Sequence, residues 1–404
     1  MRKITLAIGL VASLLTNGYS QKKPSATNTN YETRPLTIDE VNLVTSYYSQ
    51  DGNNSAVTGG KGTEKLWDWA NSIDIKLSAV DKRKRQHSFS LDFNIDHYSS
   101  ASSDKIDPLT ISSASMKDTH IYPSLSWNVK NAEKRTSWGV ALNYSTEYDY
   151  KSYGLNANFS KLSKDNNREF MIKASAFFDT WTAILPAELR PVTYGSGARD
   201  DMEGVQKKPR NSYSMALSLS QILTQRFQVL VMVEPSFQNG LLSTPYHRVY
   251  FSNGTESVER LPGTRFKLPI GLRGSYFIGD NFILRGFYRF YLDDWGMKAH
   301  TFSFEIPYKI TPFVSLSPFY RFNTQTAVRY FNPYGQNVAT STYHTSDYDI
   351  SALSTHYVGA GLRLAPPDGV FGMQHWNNVE IRFGHYYRTN GLVANSITLL
   401  AKLK

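Results

Sequence analysis

The chain has 404 residues and 14% aromatics, yet only 41% apolar residues and a mean hydropathy of −0.40. That excludes a bundle of membrane helices, which needs runs of about 20 apolar residues. Cysteine is absent, which removes disulfides, thiolate metal sites, thiol nucleophiles and a lipid-anchored cysteine. The formal charge is +10, or +8 without Arg2 and Lys3. Its basic residues are scattered, apart from the turn-like Lys82-Arg83-Lys84-Arg85 run, so no nucleic-acid partner is implied.

Residues 1–20 read as a cleaved signal peptide. Arg2 and Lys3 form the charged start, Ile4 to Leu15 the apolar centre, and Gly18 and Ser20 the small residues before Gln21. Residues 21–35 are polar, with Pro24 and Pro35, and read as a disordered segment. From residue 36 to 404 one pattern persists with no composition shift, so this part is taken as one domain.

The pattern is a period of two. In HSFSLDFNIDHY, residues 87–98, Phe89, Leu91, Phe93 and Ile95 alternate with Ser88, Ser90, Asp92, Asn94 and Asp96. Alternation places the apolar residues on one strand face and the polar ones on the other. Similar segments occur at 37–49, 65–80, 86–98, 119–129, 136–148, 151–163, 169–181 and 211–222. They continue at 226–237, 264–277, 281–292, 297–309, 313–330, 354–364, 376–388 and 392–403. That predicts sixteen strands, or fourteen if the first or the fourteenth is misread.

Connections alternate in length. Short ones, such as 81–85, 223–225 and 278–280, alternate with long ones at 50–64, 99–118, 182–210, 238–263 and 331–353. This asymmetry, with three short loops and one long turn (365–375) as exceptions, is that of outer-membrane barrels. Width decides which face points out. About sixteen strands enclose a lumen too wide for side chains to fill, so an apolar interior would leave a void. The expected fold is all-β, a transmembrane antiparallel up-and-down β-barrel with lipid outside and a wet lumen inside. Trp127, Trp138, Tyr98, Trp181, Phe237, Trp295, Tyr308, Trp376 and Tyr387, near strand ends, are expected in interfacial girdles.

The expected lumen face is charged. Its pore-lining candidates are Asp74, Asp92, Asp96, Arg265, Arg273, Arg285, Arg289, Glu305, Arg321, Arg363 and Arg382. Basic residues crowd the tenth to fifteenth strands, opposite an acidic wall from Asp74, Asp92 and Asp96. Such a transverse field selects anionic solutes; alternatively, the charges pair across neighbouring strands and stiffen the wall.

In the first long loop Asp51, Asn53 and Ser55 imitate the start of a calcium loop, with Glu64 further on. Flanking helices are missing and Ala56 stands where that motif has glycine. These four residues are weak calcium candidates; Asp104, Asp107 and Asp118 of the next loop could join them. No cofactor is otherwise implied. Neither a G-x-S-x-G elbow, an H-E-x-x-H pair nor a P-loop is present, so no enzyme is expected. His87, His97 and His120 are potential neighbours, and His97 with a nearby serine is the one lipid-hydrolysing candidate.

YYSQDGNNSAVTGGKGTEKL at 47–66, SSASMKDTH at 112–120 and YDYKSYG at 148–154 resemble the Bacteroidota family catalogued as domain of unknown function 3570. The resemblance spans nearly the whole mature chain. It implies an outer-membrane location and a biochemical role that is not established. The expected function is a porin-like outer-membrane barrel passing small solutes. Its rivals are a closed scaffold barrel whose long loops bind a cell-envelope partner, and a lipid-acting enzyme. A segment from 182–210 or 331–353, folded inward, would plug the lumen.

Overall fold

Alternating strands become a closed sheet. The computed structural model describes residues 33–99, 117–183, 185–186, 189 and 206–403. Residues 1–20, read from the sequence as a signal peptide, nearly all of the 21–35 segment, Asp104 and Asp107 lie outside the described residues, as does most of 182–210.

Sixteen strands follow one another round the barrel. They are β1 (Arg34–Asp51), β2 (Leu66–Val80), β3 (Arg85–Ser99), β4 (Lys117–Ile121 with Ser124–Asn131), β5 (Thr136–Thr146), β6 (Tyr150–Leu162), β7 (Arg168–Thr182) and β8 (Lys207–Thr224). Next come β9 (Phe227–Val233 with Ser236–Gly240), β10 (Thr264–Ile278), β11 (Phe282–Asp293), β12 (Lys298–Glu305 with Tyr308–Thr311), β13 (Val314–Gln325), β14 (Leu353–Leu364), β15 (Trp376–Arg388) and β16 (Val393–Leu403). Each is antiparallel to the next, and β16 closes on β1 from Val41↔Leu403 to Asp51↔Val393. Three strands are interrupted, and each gap holds a proline: Pro123, Pro235 and Pro307. Proline has no N–H for the ladder, so pairing lapses there and resumes beyond.

The apolar face points away from the lumen. In β3, Leu91 and Phe93 are 43% and 37% exposed. Asp92 and Asp96 point the other way, accepting from Ser124 Oγ at 2.8 Å and Tyr122 OH at 3.1 Å. The outer surface continues through exposed Leu142, Tyr153, Phe304 and Phe383. Buried apolar clusters among the described residues sit at the rims. One joins Leu261, Trp295, Met297 and Val328; the other joins Val370, Val379 and Ala401.

Two girdle assignments fail on parity. Tyr98 lies on the Asp92–Asp96 face of β3, and Trp181 lies on the Asp179 face of β7, against Tyr150 with ring centres 5.5 Å apart. Trp295 fails for another reason: it is 3% exposed in the loop cluster. Trp376 is partly covered by the 365–375 turn, which folds back over Val379 and Ala401.

The short-turn rim is built from tight loops. Asp81 Oδ1 accepts the N–H groups of Arg83 and Arg85 at 2.9 and 2.8 Å, so the Lys82–Arg85 run is a carboxylate-organised turn. Lys84, Arg135 and Asn166 take positive φ at such turns. The described long loops, 52–65, 241–263 and 326–352, gather at the opposite rim.

Candidate functional site

Strands eight apart face each other across a ring of sixteen, so β2 and β3 oppose β10 and β11. By register, the inward set on β2 and β3 includes Asp68, Asp74, Asp92 and Asp96. The inward set on β10 and β11 includes Arg265, Lys267, Arg273, Arg285 and Arg289. Glu305, Arg321, Arg363 and Arg382 continue it on β12 to β15. All eleven pore-lining candidates therefore lie on the side away from the apolar surface.

Part of this wall is paired. Arg265 meets Asp293 at 2.5 Å and lies 4.2 Å from the Trp295 ring centre. Glu305 takes Arg285 at 3.7 Å and Arg382 at 3.3 Å, and Arg382 also reaches Glu380 at 2.9 Å. Arg382 lies over the Phe319 ring, beside Gly359 and Gly361. A side chain at Gly359 would meet the Phe319 ring and the Phe383 carbonyl, so this close packing requires glycine. Arg273, Arg289, Arg321 and Arg363 have no carboxylate at ion-pair distance among the described residues. Asp74 keeps one buried oxygen without a hydrogen bond.

Loops close over one side of this wall. Residues 52–65, 241–263 and 326–352 knit together. Arg248 donates to the Val57 carbonyl at 2.8 Å, Arg260 pairs with His344, and Phe251 pairs with Asn337. Asn337, 1% exposed, donates to Ser346 Oγ at 3.0 Å. Between this cap and β1, β13, β14, β15 and β16 lies a cavity of about 750 Å³. Tyr48, Arg321, Tyr357, Tyr386 and Arg388 line it from the wall, and His247, Asp347 and Asp349 from the cap. The 331–353 segment thus occupies the mouth, as a cap over a cavity.

Arg388 ties the cap down. It is almost buried, meets Glu64 Oε1 at 3.2 Å, contacts Asp349 Oδ1 and reaches Asn390 Oδ1 at 2.5 Å. Such contacts occupy two of the calcium candidates. Glu64 Oε2 accepts the Asn54 N–H at 3.0 Å and its other oxygen takes Arg388, while Asp51 turns to Lys65 at 3.6 Å. Arg388 thus already neutralises Glu64, and Asp51 is drawn to a different cation. Among the described residues, potential ligand atoms come together elsewhere: His247 with Glu259 and Asp347, and Asp118 with Glu147 and Asp149.

In the first group His247 Nδ1 lies 3.8 Å from Glu259 Oε1 and 3.9 Å from Asp347 Oδ2. Burial pushes the Asp347 carboxyl up to about 7, and Asp349 adds to the rise. Burial lowers the basicity of His247, but Glu259 and Asp347 outweigh it and the net shift is upward. In the second group burial, then Asp118 and Asp149, raise Glu147 to about 7.

The histidines separate. His97 faces outward and bonds Thr119 Oγ1 at 2.9 Å, so its partner is a threonine and no serine. His87 contacts Asp81 at 3.3 Å near the other rim. His120 faces the lumen, with Nε2 2.6 Å from Ser145 Oγ and Nδ1 3.4 Å from Glu147 Oε1. Sequence reasoning missed His247, Glu259, Asp347 and Arg388. Glu259 and its partner Thr345 stand 86 residues apart, so no local spacing announces them.

Residues 107–396 match a family described as "Protein of unknown function (DUF3570)". The 47–66 stretch lies outside that match. No curated protein matches the chain. Solved structures similar to it include a BenF-like porin from Pseudomonas fluorescens Pf-5, 9% identical over 91% of this chain and 98% of that one, with a TM-score of 0.43. Another is Pseudomonas aeruginosa OpdK solved with vanillate, 6% identical over 91% and 98%, with a TM-score of 0.42. A third is Acinetobacter baumannii OccAB4, 8% identical over 94% and 99%, with a TM-score of 0.40.

Proposed function

The chain belongs to the DUF3570 family, whose description assigns no role, and from that premise we propose that it is an outer-membrane channel for small polar solutes, anions foremost. One observation carries the reading: a closed barrel with apolar side chains outside surrounds a charged wall and a polar cavity of about 750 Å³. Exposed Leu142, Tyr153 and Phe383 would each cost roughly 1.5–3 kcal/mol of unrealised burial in water. A bilayer removes that cost, and the closed ladder leaves no edge to solvate. Arg273, Arg289 and Arg321, without an ion-pair partner among the described residues, supply the positive side, and Asp74 and Asp92 the negative one. The cap sets the entrance.

Reconstitution into planar bilayers tests this. Discrete conductance steps are expected, with a reversal potential shifted toward the anion in a KCl gradient. A silent membrane at every voltage overturns the channel and leaves a closed scaffold.

A second reading has its own observation. Ser145, His120 and Glu147 follow one another at 2.6 and 3.4 Å, the order in which a histidine activates a serine. Against it, Glu147 titrates near 7 because it is buried beside Asp118 and Asp149, so it is a poor anionic orienter at neutral pH. Ester hydrolysis by the wild type that vanishes in Ser145→Ala would establish that activity. Equal, background-level turnover by both removes it.

A further inference from the structure

We infer that His247, Glu259 and Asp347 bind one divalent transition-metal ion, of the zinc type, where the 241–263 and 326–352 loops meet above the cavity. Three observations converge. The first is geometric. Nδ1 of His247 stands 3.8 Å from Glu259 Oε1 and 3.9 Å from Asp347 Oδ2, and the three ligand atoms lie within 4.8 Å of one another. Two ligands each about 2.1 Å from one ion are at most ~4.2 Å apart, so both histidine–carboxylate separations fall within a metal's span and outside a direct hydrogen bond.

The second is the unmet need of His247. Its Nδ1 is buried and has no hydrogen-bond partner among the described residues. A buried polar atom without a partner is costly; here it faces two carboxylates across a gap that an ion would fill.

The third is that the carboxylates are held from behind. Glu259 Oε2 accepts the Thr244 N–H at 2.7 Å, and Glu259 Oε1 accepts from Thr345 Oγ1 at 2.5 Å. Asp347 Oδ1 accepts the Asp349 N–H at 2.8 Å, leaving Oδ2 toward the histidine. Thr345 also accepts the Asp347 N–H at 3.0 Å, so one hydroxyl orients both acids. Such outer support fixes ligand direction in metal sites. An imidazole with two carboxylates favours zinc-type ions over calcium or magnesium, which prefer all-oxygen shells. His247 and Asp347 also border the cavity, which leaves a coordination position open to water or solute. This site does not depend on the barrel being a channel.

Zn²⁺ titration of the full-length barrel, folded in detergent and stripped by chelator, tests the inference. One equivalent is expected to bind the wild type. His247→Ala, Glu259→Gln and Asp347→Asn each weaken binding more than tenfold, and Asp118→Asn in the other acidic group leaves it unchanged. Zn²⁺ also slows amide exchange at 243–260 and 344–349, which an adventitious surface ion would not do. Heat-modifiable electrophoretic migration reports whether each variant is folded. Should His247→Ala not fold, the Co²⁺ spectrum of the wild type decides, since a three-ligand site gives bands that chelator removes. Absence of saturable Zn²⁺ binding, or unaltered binding by folded His247→Ala, overturns the site.

Discussion

Replacing Arg388 with Ala should release the loop cap while leaving the barrel closed. The guanidinium is 6% exposed and faces Glu64, itself 10% exposed, at 3.2 Å. Removing one partner of a buried pair leaves the other charge uncompensated, which costs about 3–5 kcal/mol. The Asp349 side chain is 72% exposed, so its share is at most about 1 kcal/mol. Glu64 keeps the Asn54 N–H, so the low end applies, about 3 kcal/mol. The cost is local: β15 and β16 retain their register from Asn378↔Lys402 to Tyr387↔Val393. It should therefore appear as opening of residues 52–65 and 326–352, with amide exchange there about 100-fold faster. Hydrogen exchange with mass spectrometry in micelles measures this. The double variant Arg388→Gln with Glu64→Gln should recover most of the protection, because no buried charge is then stranded. Exchange of 52–65 changed less than twofold in Arg388→Ala, or a double variant no better than the single one, would refute the reasoning.

The other predictions concern the wall, the corner at Glu147 and the outer face. Arg273→Ala with Arg289→Ala removes two cations that have no carboxylate at ion-pair distance among the described residues; the reversal potential in a salt gradient should move toward zero, and an unchanged value counts against anion selection. Glu147 has a raised folded-state value of about 7 against 4.5, so the folded corner binds more protons than the unfolded one between those values. Its stability should fall as pH rises through 4.5 to 7, by on the order of 3 kcal/mol at most. Exchange at 144–152 followed against pH checks this, and Glu147→Gln should flatten the profile. Leu142→Arg puts a cation on the outer face and should cost about 2–4 kcal/mol if that residue lies near the bilayer midplane, read from denaturant midpoints in vesicles. Asn143→Asp, one position on and facing the lumen, should cost far less.

Local chemistry alone determined the strands of this protein and which way each side chain points. Side chains alternate along any strand whatever it pairs with, so Leu91 and Asp92 were separable before any partner was known. Parity also carried the corrections for Tyr98 and Trp181; aromatic character says that a residue suits an interface, and only its odd or even position says which side it faces. Pro123, Pro235 and Pro307 each remove an N–H where a ladder lapses, but Pro269 and Pro318 sit inside unbroken strands, so proline by itself does not place a break.

Tertiary structure decided what the loops do. Glu64 looks like a calcium ligand in its own sequence, and it becomes the partner of Arg388 because barrel closure brings β1 beside β16. His247, Glu259 and Asp347 come from two loops that share no motif, and they meet only because both loops fold over the same mouth. Periodicity is a property of neighbouring residues; convergence of distant loops depends on contacts between segments that can come together in many ways, and short-range pattern does not encode which of those wins.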